Sequence, residues 1–321
     1  MTENTEFNSE EEARKLVEQA ESNEVQPHAV AEPKITTLGK AQKFSEVEDS
    51  PLSGDIGWKN LPLKNLPSQA LFYPDATEVA IRAASVAEIR HWSTIDENDA
   101  LAIDDMLNFV CEKCCRIRMS GRPANFKDLK EVDRFYVIFA IRDFTFKNGE
   151  NRLYTTLDNE DGTEDRIEIT KDVLNYFNPD ERLMKYYNSE TKCFIFPMKN
   201  GEVFDLHFPS LGVMAFIKAY ARNKQQRNQQ FDKAFLKYAP FLLPEWKGLT
   251  EREYEKSLQD SLTWSIQKIS LMDKITTMLA GSINPQVRYI TAAGEEASVP
   301  LSFRGGVKSL FLIPDILDEL V

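Results

Sequence analysis

The sequence holds no unbroken apolar run of about 18 residues, so no membrane-spanning helix is expected. Its first residues lack the basic start and apolar stretch of a secretory signal. Histidine is scarce: His28, His91 and His207 have no second His, Cys or carboxylate at ligand spacing. A general base needs a partner within hydrogen-bond reach, and none is in view. His91, beside Trp92, reads as a half-buried structural imidazole. Four cysteines, three of them crowded at Cys111, Cys114 and Cys115, do not make a secreted disulfide framework, so a reducing, cytoplasmic place of folding is expected. Glycines cluster only at Gly305-Gly306, and no phosphate-cradling loop, Gly-x-Ser-x-Gly elbow or His-Glu-x-x-His pair occurs. These absences argue against an enzyme and against any cofactor or metal.

What is present is acid, in one place. The net charge is −12, and residues 1–60 alone hold 13 Asp or Glu against 6 Lys or Arg. Such a field repels phosphate, which disfavours nucleic acid and anionic lipid as partners. Residues 1–55, rich in Glu, Ser, Asn and Pro, carry too little apolar surface to offset the entropy of ordering and read as a disordered acidic tail. Within it Glu10–Ala20 has the pattern of a short helix, marginal on its own.

Order is expected from about Ile56. Pro62 and Pro67 keep the chain extended, Tyr73-Pro74-Asp75 is turn material, and Glu78–Arg82 alternates as one half-exposed strand. A helix is predicted over Ser85–Trp92, and a longer one over Ile95–Arg118 with Ile103, Met106, Leu107, Val110, Cys114 and Ile117 on one face, ended by Gly121 and Pro123. A third is predicted over Lys127–Asp143. Residues 147–190 read as an irregular connection in which LYTTL and RIEIT pair as strands. CFIFPM and VFDLHF flank Asn200-Gly201, a hairpin signature, with Pro197 placing the first strand on an edge. Beyond lie helices from Leu211, from the row Phe231, Ala234, Phe235 and Tyr238, and from the Thr250-x-x-Glu253 capping box. That last helix carries Leu258, Leu262, Ile266, Ile269, Met272 and Leu279 on one face and stops at Gly281. The fold class is therefore α+β and mainly helical, with a small strand element near the start of the first domain and a β-hairpin before a helical C-terminal half. The expected divisions are 1–55, 56–146, 147–190 and 191–321.

Three patterns invite chemistry. Cys111-x-x-Cys114-Cys115 lies inside a predicted helix with Cys114 on its apolar stripe; core packing is favoured over a zinc site, which needs four ligands, or a redox site, which needs an exposed thiolate. Asp104-Asp105 are neighbours that point apart on a helix. Asp158-x-Glu160-Asp161-Gly162 lacks the rest of a calcium loop. One basic segment, Lys218, Arg222, Lys224, Arg227, Lys233 and Lys237, has the composition of a nucleic-acid contact, against which stands a plain solvated helix surface.

The ordered set Leu66-Pro67-Ser68, Tyr73-Pro74, Ile81-Arg82, Asp133-Arg134-Phe135-Tyr136 and Ile141-Arg142 resembles the baseplate hub and hub-assembly proteins of T-even-type contractile-tailed phages, over roughly Trp58–Phe146. Where that pattern leads one to expect glycine, this chain has Ala70, which argues against a left-handed turn. The resemblance implies a non-enzymatic part of a tail baseplate at the central hub, with other hub or tail proteins as partners and an oligomer as one form. It places the chain in the host cytoplasm during assembly and in the virion baseplate if it is retained. A tail assembly chaperone absent from the virion is the alternative, and a nucleic-acid-binding protein using the 218–237 helix a weaker one. The contact candidates are Phe72, Tyr73 and Trp92, with Ile313, Ile316, Leu317 and Leu320 as a docking tail.

Overall fold

The computed structural model describes residues 57–146, 153–158, 164–170, 174–175, 180–282, 286–291, 294–303 and 306–311. All belong to one unit spanning Ile35–Val321. The expected acidic tail 1–55 with its Glu10–Ala20 helix, the Asp158–Gly162 turn beyond Asp158, and Ile313, Ile316, Leu317 and Leu320 lie outside the described residues.

A four-stranded antiparallel meander opens the fold: β1 (Lys59–Leu61), β2 (Glu78–Ile81), β3 (Cys115–Met119) and β4 (Arg122–Ala124) are neighbours in that order. Between β2 and β3 lie α1 (Val86–Trp92) and α2 (Ala100–Cys114). β2 is not half-exposed as its alternation implied. Val79, Ala80 and Ile81 are all buried, because Trp58 covers Ala80 on the second face and the Arg116 guanidinium stacks 4.1 Å from that indole.

The first predicted helix forms where expected, and the second is shorter than its apolar row. α1 starts where Ser85 and Glu88 form a reciprocal capping box. α2 begins at its Asp99 cap and stops at Cys114; Cys115 is already extended, at φ −124° and ψ 139°. Ile117 faces inward either way, since i+3 on a helix and i+2 on a strand both return to the buried side. Here the strand prevails, pairing Ile117 with Val79 and putting Arg116 outward. Gly121 and Pro123 therefore shape the β3–β4 hairpin rather than ending a helix, with Pro123 on the edge strand.

The third predicted helix likewise starts late. α3 runs Arg134–Thr145, preceded by two 3₁₀ turns, Phe126–Asp128 and Glu131–Asp133. Leu129 and Lys130 between them are extended because their backbone pairs elsewhere: Glu131 N–H donates to Pro209 O (3.0 Å) and Leu211 N–H to Leu129 O (2.8 Å). β5 (Tyr154–Asp158) and β6 (Glu164–Glu168) pair antiparallel as the two runs predicted. β7 (Leu174–Asn175) and the single-turn α4 (Glu181–Met184) follow.

β8 (Tyr187–Asn188), β9 (Cys193–Pro197) and β10 (Val203–Leu206) form a sheet in which β9 is central, not an edge. Pro197 is tolerated because β8 pairs only with Cys193 and Phe194, so the missing N–H falls beyond the ladder. The helices α5 (Leu211–Gln226), α6 (Phe235–Leu242, with Pro240 inside), α7 (Glu251–Leu262) and α8 (Ile266–Gly281) come next. The single long helix expected after Thr250 is broken at Thr263–Ser265. Ser265 is extended, and its hydroxyl accepts from Lys268 N–H, restarting a helix with its own cap. β11 (Gln286–Ile290) and β12 (Glu296–Pro300) then complete a sheet in the order β12–β11–β7. The fold is thus mixed α+β with helix dominant, and its strands are spread along the chain rather than confined to the two expected places.

The apolar side chains form two main clusters. The first joins the meander, α2 and α3 with Ile167, Ile169, Val287, Leu310 and Phe311. The second gathers Phe194, Phe196, Phe204, Phe208, Tyr220, Phe235, Phe241 and Tyr254 around α5–α8. The chain near its C-terminus thus completes the first core. Arg142 Nε donates to Leu310 O (2.8 Å), Lys308 N–H donates to Glu97 Oε1 (2.8 Å), and Phe311 lies 4.6 Å from the Trp92 ring.

Candidate partner-contact sites

The loop Leu66–Pro74 turns back through three consecutive backbone bonds, Gln69 to Leu66, Leu71 to Ser68 and Tyr73 to Ala70. Gln69 and Ala70 both take positive φ, +50° and +67°. The left-handed turn is therefore present although glycine is not, and a buried carboxylate holds the strain. Asp133, fully buried, accepts from Ser68 N–H (2.8 Å), Ser68 Oγ–H (2.8 Å) and Tyr73 Oη–H (2.7 Å). Tyr73 Oη in turn accepts from Lys130 N–H (3.0 Å). Burial pushes the Asp133 carboxyl up to about 6, against the pull of the Ser68 and Tyr73 hydrogen bonds and of the Lys130 charge. This clasp joins the loop to the head of α3.

Beside it lies an ionic cluster. Arg134 donates to Asp104 Oδ1 (2.6 Å) and pairs with Glu131 (2.8 Å), while Lys218 of α5 reaches the same Asp104 oxygen (2.7 Å). Burial alone raises Asp104, but Arg134 and Lys218 outweigh it and hold the carboxyl below its ordinary value. Asp104 faces inward on α2 and Asp105 outward, as helical neighbours must. Pairing with residues 30 and more than 100 positions away left no local signal beyond an acidic residue on an apolar helix face.

The three ring candidates are spent internally. Phe72 stacks on Phe208 (4.2 Å) in the second cluster, Tyr73 belongs to the clasp, and Trp92 packs under Phe311. All three are buried and present no ring to a partner. The large apolar side chains left in solvent lie elsewhere, Val86, Tyr186 and Val203 singly and four more together. Leu262 is 63 % exposed and Ile266 86 %, flanking the α7–α8 break, with Ile269 and Leu271 beyond. Sequence reasoning put Leu262, Ile266 and Ile269 on a buried face. The break re-aims α8, so that Met272, Ile275, Thr276 and Leu279 turn inward.

The thiols are core groups. Cys111, Cys114 and Cys115 are buried, and burial pushes Cys111 and Cys114 up to about 12. Among the described residues no group of three or more His, Cys, Asp or Glu is arranged to hold a metal ion. His91 is exposed rather than half-buried, 5.2 Å from the Phe109 ring. His207 is half-buried, and burial followed by the Lys130 charge lowers its pKa. In the basic segment, Lys218 is committed to Asp104, Lys224 to Glu255 (2.9 Å) and Lys237 to Asp273 (3.0 Å), leaving Arg222, Arg227 and Lys233 exposed. Compared with known proteins, the chain matches no family model, no curated protein and no solved structure.

Proposed function

We propose that this chain acts by protein–protein contact, as a non-enzymatic component of a contractile-tail phage baseplate at the central hub. One observation carries the reading: the separate motifs of the resemblance meet in space. Ser68 and Tyr73, from Leu66-Pro67-Ser68 and Tyr73-Pro74, are both bonded to Asp133 of Asp133-Arg134-Phe135-Tyr136, some sixty positions away. Arg134, next in that motif, anchors the Asp104 cluster. Motifs that lie far apart in the chain thus form one structural unit, which supports reading them as a set rather than singly. In this reading the motif builds the scaffold, and partners meet surfaces such as the Leu262–Ile266 corner.

The same scaffold serves an assembly chaperone, so the two roles separate only by what the finished particle contains. A nucleic-acid role is less favoured, because three of the six lysines and arginines in the basic segment are already paired to carboxylates. The test is complementation. A phage lacking this chain should fail to assemble its hub, wild-type protein should restore it, and Ile266→Glu with Leu262→Glu should restore it poorly. Normal hubs without the chain would end the proposal.

A further inference from the structure

A groove of about 640 Å³ lies between the end of α5, the stretch Gln230–Asp232 and α7. Its size falls in the range of about 300–1,000 Å³ usual for ligand sites. Tyr220, Phe231 and Leu258 give it an apolar floor. Most of its charge is accounted for. Lys224 is paired with Glu255, whose Oε1 also accepts from Tyr220 Oη (3.4 Å). Asp232 accepts from the Ala234 and Phe235 amides (2.8 and 3.0 Å), holding the start of α6.

Two cations remain. Arg252 and Lys256 are exposed, stand one helical turn apart on α7, and have no carboxylate at ion-pair distance among the described residues. We propose that this groove receives an acidic peptide segment of a partner protein, two of whose carboxylates pair with Arg252 and Lys256 while an apolar side chain between them enters against Phe231 and Leu258. Charge complementarity selects the occupant. Two free cations match two carboxylates, but fall short of the roughly six to ten phosphate contacts of a polynucleotide site. The proposal does not depend on the phage reading, which particle composition tests separately.

The test uses the full chain and fluorescence anisotropy at low salt with three probes: a labelled hexapeptide of glutamate and leucine, its glutamine counterpart, and an oligothymidylate. The glutamate peptide should bind and the other two should not. Arg252→Gln with Lys256→Gln should weaken binding about tenfold, two exposed ion pairs' worth. As surface changes on α7, they should leave the urea unfolding midpoint where it was. The proposal is overturned if the glutamate peptide fails to bind at millimolar concentration, if glutamine binds equally, if the double variant binds like wild type, or if the oligonucleotide binds more tightly.

Discussion

Replacing Asp133 by Asn should flatten one component of the protein's pH dependence, with a size set by the clasp. In the folded protein the Asp133 carboxyl titrates at about 6, against an ordinary value of 3.8. A folded-state pKa above the unfolded one means that the native state binds the extra proton. Stability from this group is therefore greatest below 3.8 and declines as pH rises to about 6. The full displacement corresponds to about 3 kcal/mol, and the part recovered on going from about pH 7 to about pH 5 is about 1.3 kcal/mol. Urea unfolding of wild type and Asp133→Asn at both pH values isolates it, because every other titrating group cancels in the difference. The wild type should gain about 1.3 kcal/mol more than the variant on acidification. Asn can accept from Ser68 N–H but presents a donor where Ser68 and Tyr73 donate, so an offset at every pH is expected and only the slope is diagnostic. Parallel profiles would refute the reasoning, since they would mean that burial does not outweigh these bonds in setting the Asp133 carboxyl.

Three further outcomes rest on the same packing. Asp104→Ala removes the carboxylate that Arg134 and Lys218 share, leaving Arg134 its Glu131 partner, and should cost about 1–3 kcal/mol, with Asp104→Asn losing less, as judged by denaturant midpoints. Ala70→Gly should stabilise by roughly 0.5–1 kcal/mol in the same assay, because the residue sits at φ +67° and glycine carries no left-handed penalty. Ile266→Ser should change stability by less than about 0.5 kcal/mol, as exposure demands, where a core isoleucine cut to alanine loses about 2–5.

The parts of the fold that could be read in advance are those where a local signal and the tertiary structure agree. Thr250 announced its helix because a capping box is written within four residues, and the same device turns out to start α1 at Ser85. Asn200-Gly201 announced its hairpin because Gly201 takes φ +86°, which that turn requires. Misreadings arose where two periodicities coincide or where a distant partner decides. Ile117 suits a helix and a strand alike, and only pairing with Val79 chooses between them. Leu129 and Lys130 look helical until the 209–211 backbone claims them. Leu262 and Ile266 continue the heptad-like row of α7, but Ser265 cuts it, a break visible only as one more serine in a polar run. At the candidate site, sequence reasoning picked Phe72, Tyr73 and Trp92 because aromatic rings suit interfaces as well as cores. It weighed Asp104 only beside Asp105 and met Asp133 only as part of a motif, because their partners lie 30 to more than 100 residues away.

The central claim, that this chain is a part of a tail baseplate or of its assembly, is tested most directly by quantitative mass spectrometry of purified particles beside the infected-cell lysate. The account predicts the chain at fixed stoichiometry in particles, with a copy number that reflects the hub's symmetry. Abundance in the lysate with absence from particles would move it to the assembly-factor role. Absence from both would contradict the account.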